Sequence, residues 1–275
     1  ILMFKWLENF INFWSAKKHV RIGLALGSGG AKGFALIGAL KAFEEEGIEF
    51  DVVAGTSIGS IVGAMYACGY SWSEMFSFLW EFNVLSPSNL VALTLKRATV
   101  ASILDGMLGG KHFEETLLPF AAIATDINKG EEVVMKHGSL ATALAASSAI
   151  PPIFKPVERN GVKLVDGAYV NSVPSDVVKE MGADVVIGVS LSDTDFNTGI
   201  KIALDNAYKG NKVPICNRLK AGRENSDILI EPDLSAYKST SVGAANEMYS
   251  IGYEATKNAM PMIKKTLKEK GVKYL

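Results

Sequence analysis

Residues 50–60, F-D-V-V-A-G-T-S-I-G-S, pass from a short apolar strand through a turn into a helix, with Ser57 held between Gly55 and Gly59. Asp51 to Ala54 has the make-up of a buried strand, and Ile58, Ile61, Val62, Met65 and Tyr66 follow at helical spacing. In a G-x-S-x-G turn the two glycines remove Cβ atoms that would crowd a sharp strand-to-helix bend, so the central hydroxyl is held out toward solvent. Such a nucleophile elbow presents a serine for attack. Glycine and serine are common in this chain, so the pentapeptide alone says little. Its weight comes from the strand before it and the helix after it.

Working back from the elbow, Val20 to Leu26 predicts a first central strand. G-S-G-G-A-K-G fills residues 27–33, and a helix runs from about Ala31 to Glu46, closed by Gly47. A glycine turn between strand and helix leaves backbone N–H groups without intrahelical partners, which makes it a cradle for an anion or an oxyanion. A dinucleotide fingerprint, G-x-G-x-x-G, would need glycine at Lys32 counted from Gly27, or at Ser28 counted back from Gly33. It misses by one residue in either register, although Asp51 falls near the place of a ribose-binding acid. A Walker-type loop fails as well, because no G-K-S or G-K-T follows. An oxyanion hole needs only free N–H groups near the nucleophile, and a second strand beside the first would deliver Ser57 there.

At 275 residues and 48% hydrophobic content the chain can bury the core of one α/β domain. Its 28 basic and 29 acidic residues leave a formal charge of −1, which gives no basic surface for a nucleic-acid backbone. Cys68 and Cys216, outside any C-x-x-C pattern, suit a reducing, cytoplasmic setting without a structural disulfide or zinc site. Residues 1–14 place Lys5, Glu8, Asn9 and Asn12 on one helical face and Phe4, Leu7, Phe10, Ile11 and Trp14 on the other. This segment is too short and interrupted to cross a bilayer. Two readings stay open: a helix docked on its own domain or on a second copy, and peripheral contact with the inner membrane surface through residues 1–16. The chain divides accordingly into an amphipathic segment, 1–18, and a hydrolase-like domain, 19–275.

Beyond the elbow helix, which Gly69 stops, residues 72–82 form an aromatic-rich amphipathic segment. Residues 88–118 read as loosely joined helices that would make a lid or side wall. Phe120 to Asp126 is a buried strand returning through Asn128-Lys129-Gly130, and Leu140 to Ala149 is a small-residue helix stopped by Pro151-Pro152. Asn160-Gly161 predicts a hairpin whose second strand ends at Asp166-Gly167. Pro174 to Met181 is a helix, Asp184 to Leu191 and Asp227 to Glu231 are strands, and 192–224 resists assignment. A long helix over 241–270 carries Ala245, Met248, Ile251, Ala255, Ala259 and Met262 on one face. Strands alternating with helices predict one α/β sandwich with a largely parallel sheet.

A serine hydroxyl needs a base. The α/β-hydrolase order places histidine after the acid, and no histidine follows His137, so Asp166 cannot serve in such a triad. Two arrangements remain: a triad of Ser57, Asp126 and His137, and a dyad in which Asp166 takes the Ser57 proton directly. His19 and His112 read as ordinary surface or strand-end residues.

The chain resembles the patatin-like phospholipases over about residues 20–260. The likeness rests on the glycine loop 27–33, G-T-S-I-G at 55–59, A-T-D-I-N at 124–128, I-P-P-I-F at 150–154 and D-G-A at 166–168, in that order. The resemblance implies a three-layer α/β/α fold on a mostly parallel central sheet, with a Ser57–Asp166 dyad and an oxyanion hole from Gly29, Gly30 and their neighbours Ala31 and Lys32, with Lys32 at the family's basic position. Ser28 departs from the family pattern by replacing the first glycine of its G-x-G-x-x-G, and the serine keeps a backbone N–H.

The expected activity is that of a serine esterase or lipid acyl hydrolase, of phospholipase A or lysophospholipase type, with no metal or organic cofactor. The Ile58 N–H is a further candidate oxyanion donor. A catalytically idle membrane-associated binding module on the same fold is one rival. A dinucleotide-binding oxidoreductase is the other, and it leaves the elbow and Asp166 without a role.

Overall fold

A computed structural model describes residues 19–81, 99–151, 153–191 and 223–272. The amphipathic segment 1–18, residues 88–98 at the start of the expected lid, and Cys216 lie outside the described residues. An eight-stranded sheet runs β5-β6-β3-β2-β1-β7-β8, with β4 on the other edge of β3. The strands are β1 (Ile22–Leu26), β2 (Val52–Thr56), β3 (Phe120–Asp126), β4 (Glu131–Met135), β5 (Val157–Arg159), β6 (Val162–Asp166), β7 (Val185–Val189) and β8 (Ile228–Ile230). From β3 to β8 the pairs are parallel, while β4, β6 and β5 form an antiparallel wing.

The strand residues explain the layering. β1, β2, β3 and β7 are buried throughout, as strands covered on both faces must be. Leu24, Leu26, Val53, Ala122 and Ile187 join one core with helices α1 (Phe34–Glu45), α2 (Ile58–Ala67), α5 (Leu140–Ser147) and α7 (Ala245–Glu269). The alternate residues Ala25, Val52, Ala54, Ile123 and Val186 meet Val177 and Val178 of α6 (Ser175–Glu180) on the other face. Between these lie α3 (Trp72–Glu81) and α4 (Val100–Leu108) on the larger core. The sheet is therefore sandwiched between helices, as the alternation of elements predicts.

At the hairpin, Asn160 and Gly161 take φ of 53° and 77°, the paired positive values of a two-residue turn whose twist matches its strands. That turn reverses the chain so that β6 runs antiparallel to β3. β2 pairs with β3 as far as Thr56 opposite Ile123, and β6 takes over the same edge with Asp166 opposite Ala124. Two strands thus meet end to end along one edge of β3, bringing residues 57 and 166 together from far apart in sequence.

The long helix α7 differs from its expected face. Its buried residues are Ala245, Met248, Gly252, Thr256, Met260, Ile263 and Leu267, whereas Met262 is half exposed and Ile251, Ala255 and Ala259 are only partly buried. The reason is close helix packing. A Cβ on Gly252 would stand 2.0 Å from the Ala35 carbonyl oxygen, and one on Gly38 the same distance from that of Tyr249. The contact stripe is set by small residues that let the backbones of α1 and α7 touch, and counting large apolar side chains misplaces it.

Candidate active site

The elbow is strained where the turn demands it. Ser57 has φ 55° and ψ −125°, and it shares positive φ with Asn160 alone among the described non-glycine residues. Such backbone costs about 1–3 kcal/mol and persists only when its surroundings over-determine it. Here they do. A Cβ on Gly55 would stand 2.2 Å from the Gly59 carbonyl oxygen, and one on Gly59 would stand 2.2 Å from that of Leu26. The elbow helix is thereby pressed against the end of β1 and the glycine loop.

Ser57 Oγ donates to Asp166 Oδ2 at 2.6 Å, and both side chains are buried, Asp166 completely. The second carboxylate oxygen accepts the Ala168 N–H at 2.9 Å. Burial pushes the Asp166 carboxyl up to about 7, against the opposing pull of the Ser57 and Ala168 hydrogen bonds. A carboxyl that holds its proton near neutrality is matched to general-base work at that pH.

The histidines are elsewhere. His137 is exposed and faces Glu114 at 3.3 Å, and Asp126 Oδ1 accepts the N–H groups of Asn128 and Lys129. The Ser57, Asp126 and His137 side chains are therefore not brought together. His19 contacts Asp51 at 2.7 Å, and the backbone N–H of His112 donates to Glu115. Asp51 also accepts the Ile22 N–H, and it precedes β2, at the opposite end of the sheet from the glycine loop. That position corrects the ribose-acid reading, because a dinucleotide needs its acid at the carboxyl end of the strand.

Within the glycine loop the donors sort themselves. Ser28 N–H donates to the Ser172 carbonyl, Ala31 N–H to that of Ser239, and Lys32 N–H to that of Gly29 at 3.2 Å. The Ser28 amide thus holds the loop down instead of lining the cradle, and those of Ala31 and Lys32 are already engaged. No hydrogen bond engages the backbone N–H of Gly29, Gly30 or Ile58 among the described residues. Lys32 itself is buried, and no group of three or more metal-ligating side chains occurs among the described residues.

A patatin-like phospholipase profile matches residues 24–179, more than half of the chain, which takes in the glycine loop, Ser57 and Asp166. The chain belongs to the patatin-like phospholipase family. An uncharacterized NTE family protein of Mycobacterium tuberculosis is 33% identical over 180 residues, covering 64% of this chain and 50% of its own length. Human patatin-like phospholipase domain-containing protein 6 is 36% identical over 193 residues, covering 64% of this chain and 14% of its own. The chain thus spans half or less of the curated relatives it matches. Among solved structures, human GIVD cytosolic phospholipase A2 superposes with a TM-score of 0.55 at 12% identity, over 90% of this chain and 60% of that one. At that identity the likeness concerns the fold. No helix among the described residues of this patatin-like chain is long and apolar enough to cross a membrane.

Sequence reasoning missed Ser147, the last residue of α5, whose Oγ accepts the Ser57 N–H at 2.9 Å and donates to the Ile123 carbonyl at 2.5 Å. Nothing in the local pattern marks it. A serine in an alanine-rich helix reads as a small packing residue until the strand edge it reaches is known.

Proposed function

We propose that the chain is a serine acyl hydrolase acting on lipid or other carboxylic esters, with Ser57 as nucleophile and Asp166 as its base. The observation that carries this reading is the 2.6 Å hydrogen bond between an elbow serine and a fully buried carboxylate. Family membership supports the same chemistry. In the first step Asp166 takes the Ser57 proton as Oγ attacks the ester carbonyl, and the N–H groups of Gly29, Gly30 and Ile58 are the candidate donors to the oxyanion. The carbonyl re-forms, the carbon–oxygen bond to the alcohol breaks, and Asp166 returns its proton to the leaving oxygen. Water, deprotonated by Asp166, then attacks the acyl-serine, and the acid departs with Ser57 restored.

A fluorophosphonate probe tests the nucleophile by mass, and a short aryl ester tests turnover. Expected results are modification at Ser57 and loss of hydrolysis in both Ser57→Ala and Asp166→Asn. Full turnover by Asp166→Asn would place the base elsewhere, and a folded wild-type chain that neither labels nor hydrolyses would mark an idle binding module. A panel of phospholipids, lysophospholipids and acyl thioesters then ranks the substrates.

A further inference from the structure

We infer that Ser147 is the positioning residue for the nucleophile, a hydroxyl inserted into the strand ladder where β2 must leave the sheet. The inference rests on the reading of Ser57 given above. Val53 N–H donates to the Pro119 carbonyl, and the parallel register continues two residues at a time, with Gly55 opposite Ala122. The next rung of that ladder would run from Ser57 N–H to the Ile123 carbonyl. In its place stands Ser147 Oγ, which accepts from the first group and donates to the second. One oxygen atom therefore spaces β2 from β3 at the point where the chain turns into the elbow.

This insertion has three consequences. It satisfies a donor, the Ser57 N–H, that would otherwise be buried and unpaired, since Ser147 and its surroundings are closed to solvent. It releases Ser57 from strand geometry, so φ can swing to 55° without losing the N–H partner. It also leaves the adjoining position on β3, Ala124, for Asp166. The same helix end holds the other member of the pair, because the Asp166 N–H donates to the Ala149 carbonyl at 2.9 Å. Both reacting side chains are thus registered against the carboxyl end of α5, which is itself N-capped by Ser139.

Without the hydroxyl, the Ser57 N–H either stays unpaired or closes on the Ile123 carbonyl, and closing draws Ser57 back toward strand geometry and its Oγ away from Asp166. Ser147→Ala is expected to lose roughly a hundredfold in kcat on an aryl ester with KM little changed, the scale of a small misplacement of a reacting atom. Fluorophosphonate labelling should slow in parallel. The acid-side limb of the pH–rate profile should move to higher pH, because the Ser57 hydrogen bond that lowers the Asp166 pKa is weakened. Ser147→Thr, which keeps the hydroxyl, should restore most of the rate. A loss of stability alone would move none of these at a temperature where the variant is folded by circular dichroism.

Ser147→Ala with kcat and labelling within about twofold of wild type would overturn the inference. If that variant precipitates, Ser147→Cys fills the site with a poor hydrogen-bonding atom and should show the same loss. Wild-type rates in it would be equally fatal. A wild-type chain that never labels at Ser57 ends the functional reading and this inference with it, whereas equal labelling of wild type and variant ends the inference alone.

Discussion

Glu46 and Asp166 carry one functional group into opposite surroundings. Glu46, at the carboxyl end of α1, accepts from the ammonium groups of Lys257 and Lys264 on α7, and these hydrogen bonds hold its carboxyl down at about 2. Asp166 is closed to solvent, and burial raises it to about 7. The first arrangement fastens two helices together at the surface. The second destabilises the folded state whenever the group ionises, and what it gains is a carboxylate ready to take a proton. A site of this kind is a local departure from stability, held in place by well-packed surroundings.

The largest effect expected from this contrast is at Asp166. Ionising a fully buried carboxyl with a pKa of about 7 instead of 3.8 costs the folded state about 4 kcal/mol. Because the folded value lies above the unfolded one, the folded chain binds more protons between pH 4 and 7, and stability falls as pH rises through that window. Asp166→Asn removes this dependence. It should lose activity by a factor of about 10²–10⁴, the range of a general base, while melting at a higher temperature than wild type at pH 8. The melting difference should shrink toward pH 4. Wild-type turnover should rise with pH through about 7 as the base ionises. Equal melting curves at both pH values would show that the carboxyl is not held in a dry site.

Much of this contrast is legible in the sequence, and the illegible part has a common cause. The elbow, the Asn160-Gly161 turn and the strand ending at Asp166 are local signals, because each needs particular backbone angles or a particular period. The parallel sheet follows from continuous apolar runs such as Val52 to Ala54 and Val185 to Val189. What could not be read is whatever depends on two distant segments approaching closely. Ser147 reaches Ile123 and Ser57 only because α5 packs over the edge of β3. The α7 stripe is decided by Gly38 and Gly252, whose importance lies in the backbone of the neighbouring helix. Which loop amides stay free depended likewise on Ser172 and Ser239, far along the chain.

Glycine substitutions sharpen the same comparison at intermediate size. Gly252→Ala forces a methyl group against the Ala35 carbonyl, and overpacking of this kind costs about 1–3 kcal/mol. Its effect should be on the melting temperature, with the pH–rate midpoint of the surviving enzyme unchanged. Gly59→Ala meets the Leu26 and Gly27 carbonyls at 2.2 and 2.6 Å, so it should displace the elbow from the glycine loop and reduce fluorophosphonate labelling as well as stability. If both variants lost stability and labelling in equal proportion, the elbow would not be distinguishable from ordinary core packing.

The smallest effect should come from Glu46→Gln, where the comparison began. The carboxylate is solvent-accessible, and surface ion pairs contribute little at neutral pH because water screens them and two long lysines must be ordered. Its signature lies in the acid range. With the folded value at about 2 and the unfolded one at 4.5, the pair contributes fully above pH 4.5 and its contribution is lost as pH falls toward 2. Glu46→Gln should therefore lower the melting temperature slightly at pH 7 and converge on wild type near pH 2, the reverse of the trend expected for Asp166→Asn between pH 8 and 4. Added salt should shrink the pH 7 difference, since it screens exposed charges, and should leave the Asp166→Asn difference nearly intact because that carboxyl is closed to solvent. A salt-insensitive Glu46→Gln effect would mean that the α1–α7 contact depends on the packing of the lysine stems and not on their charge.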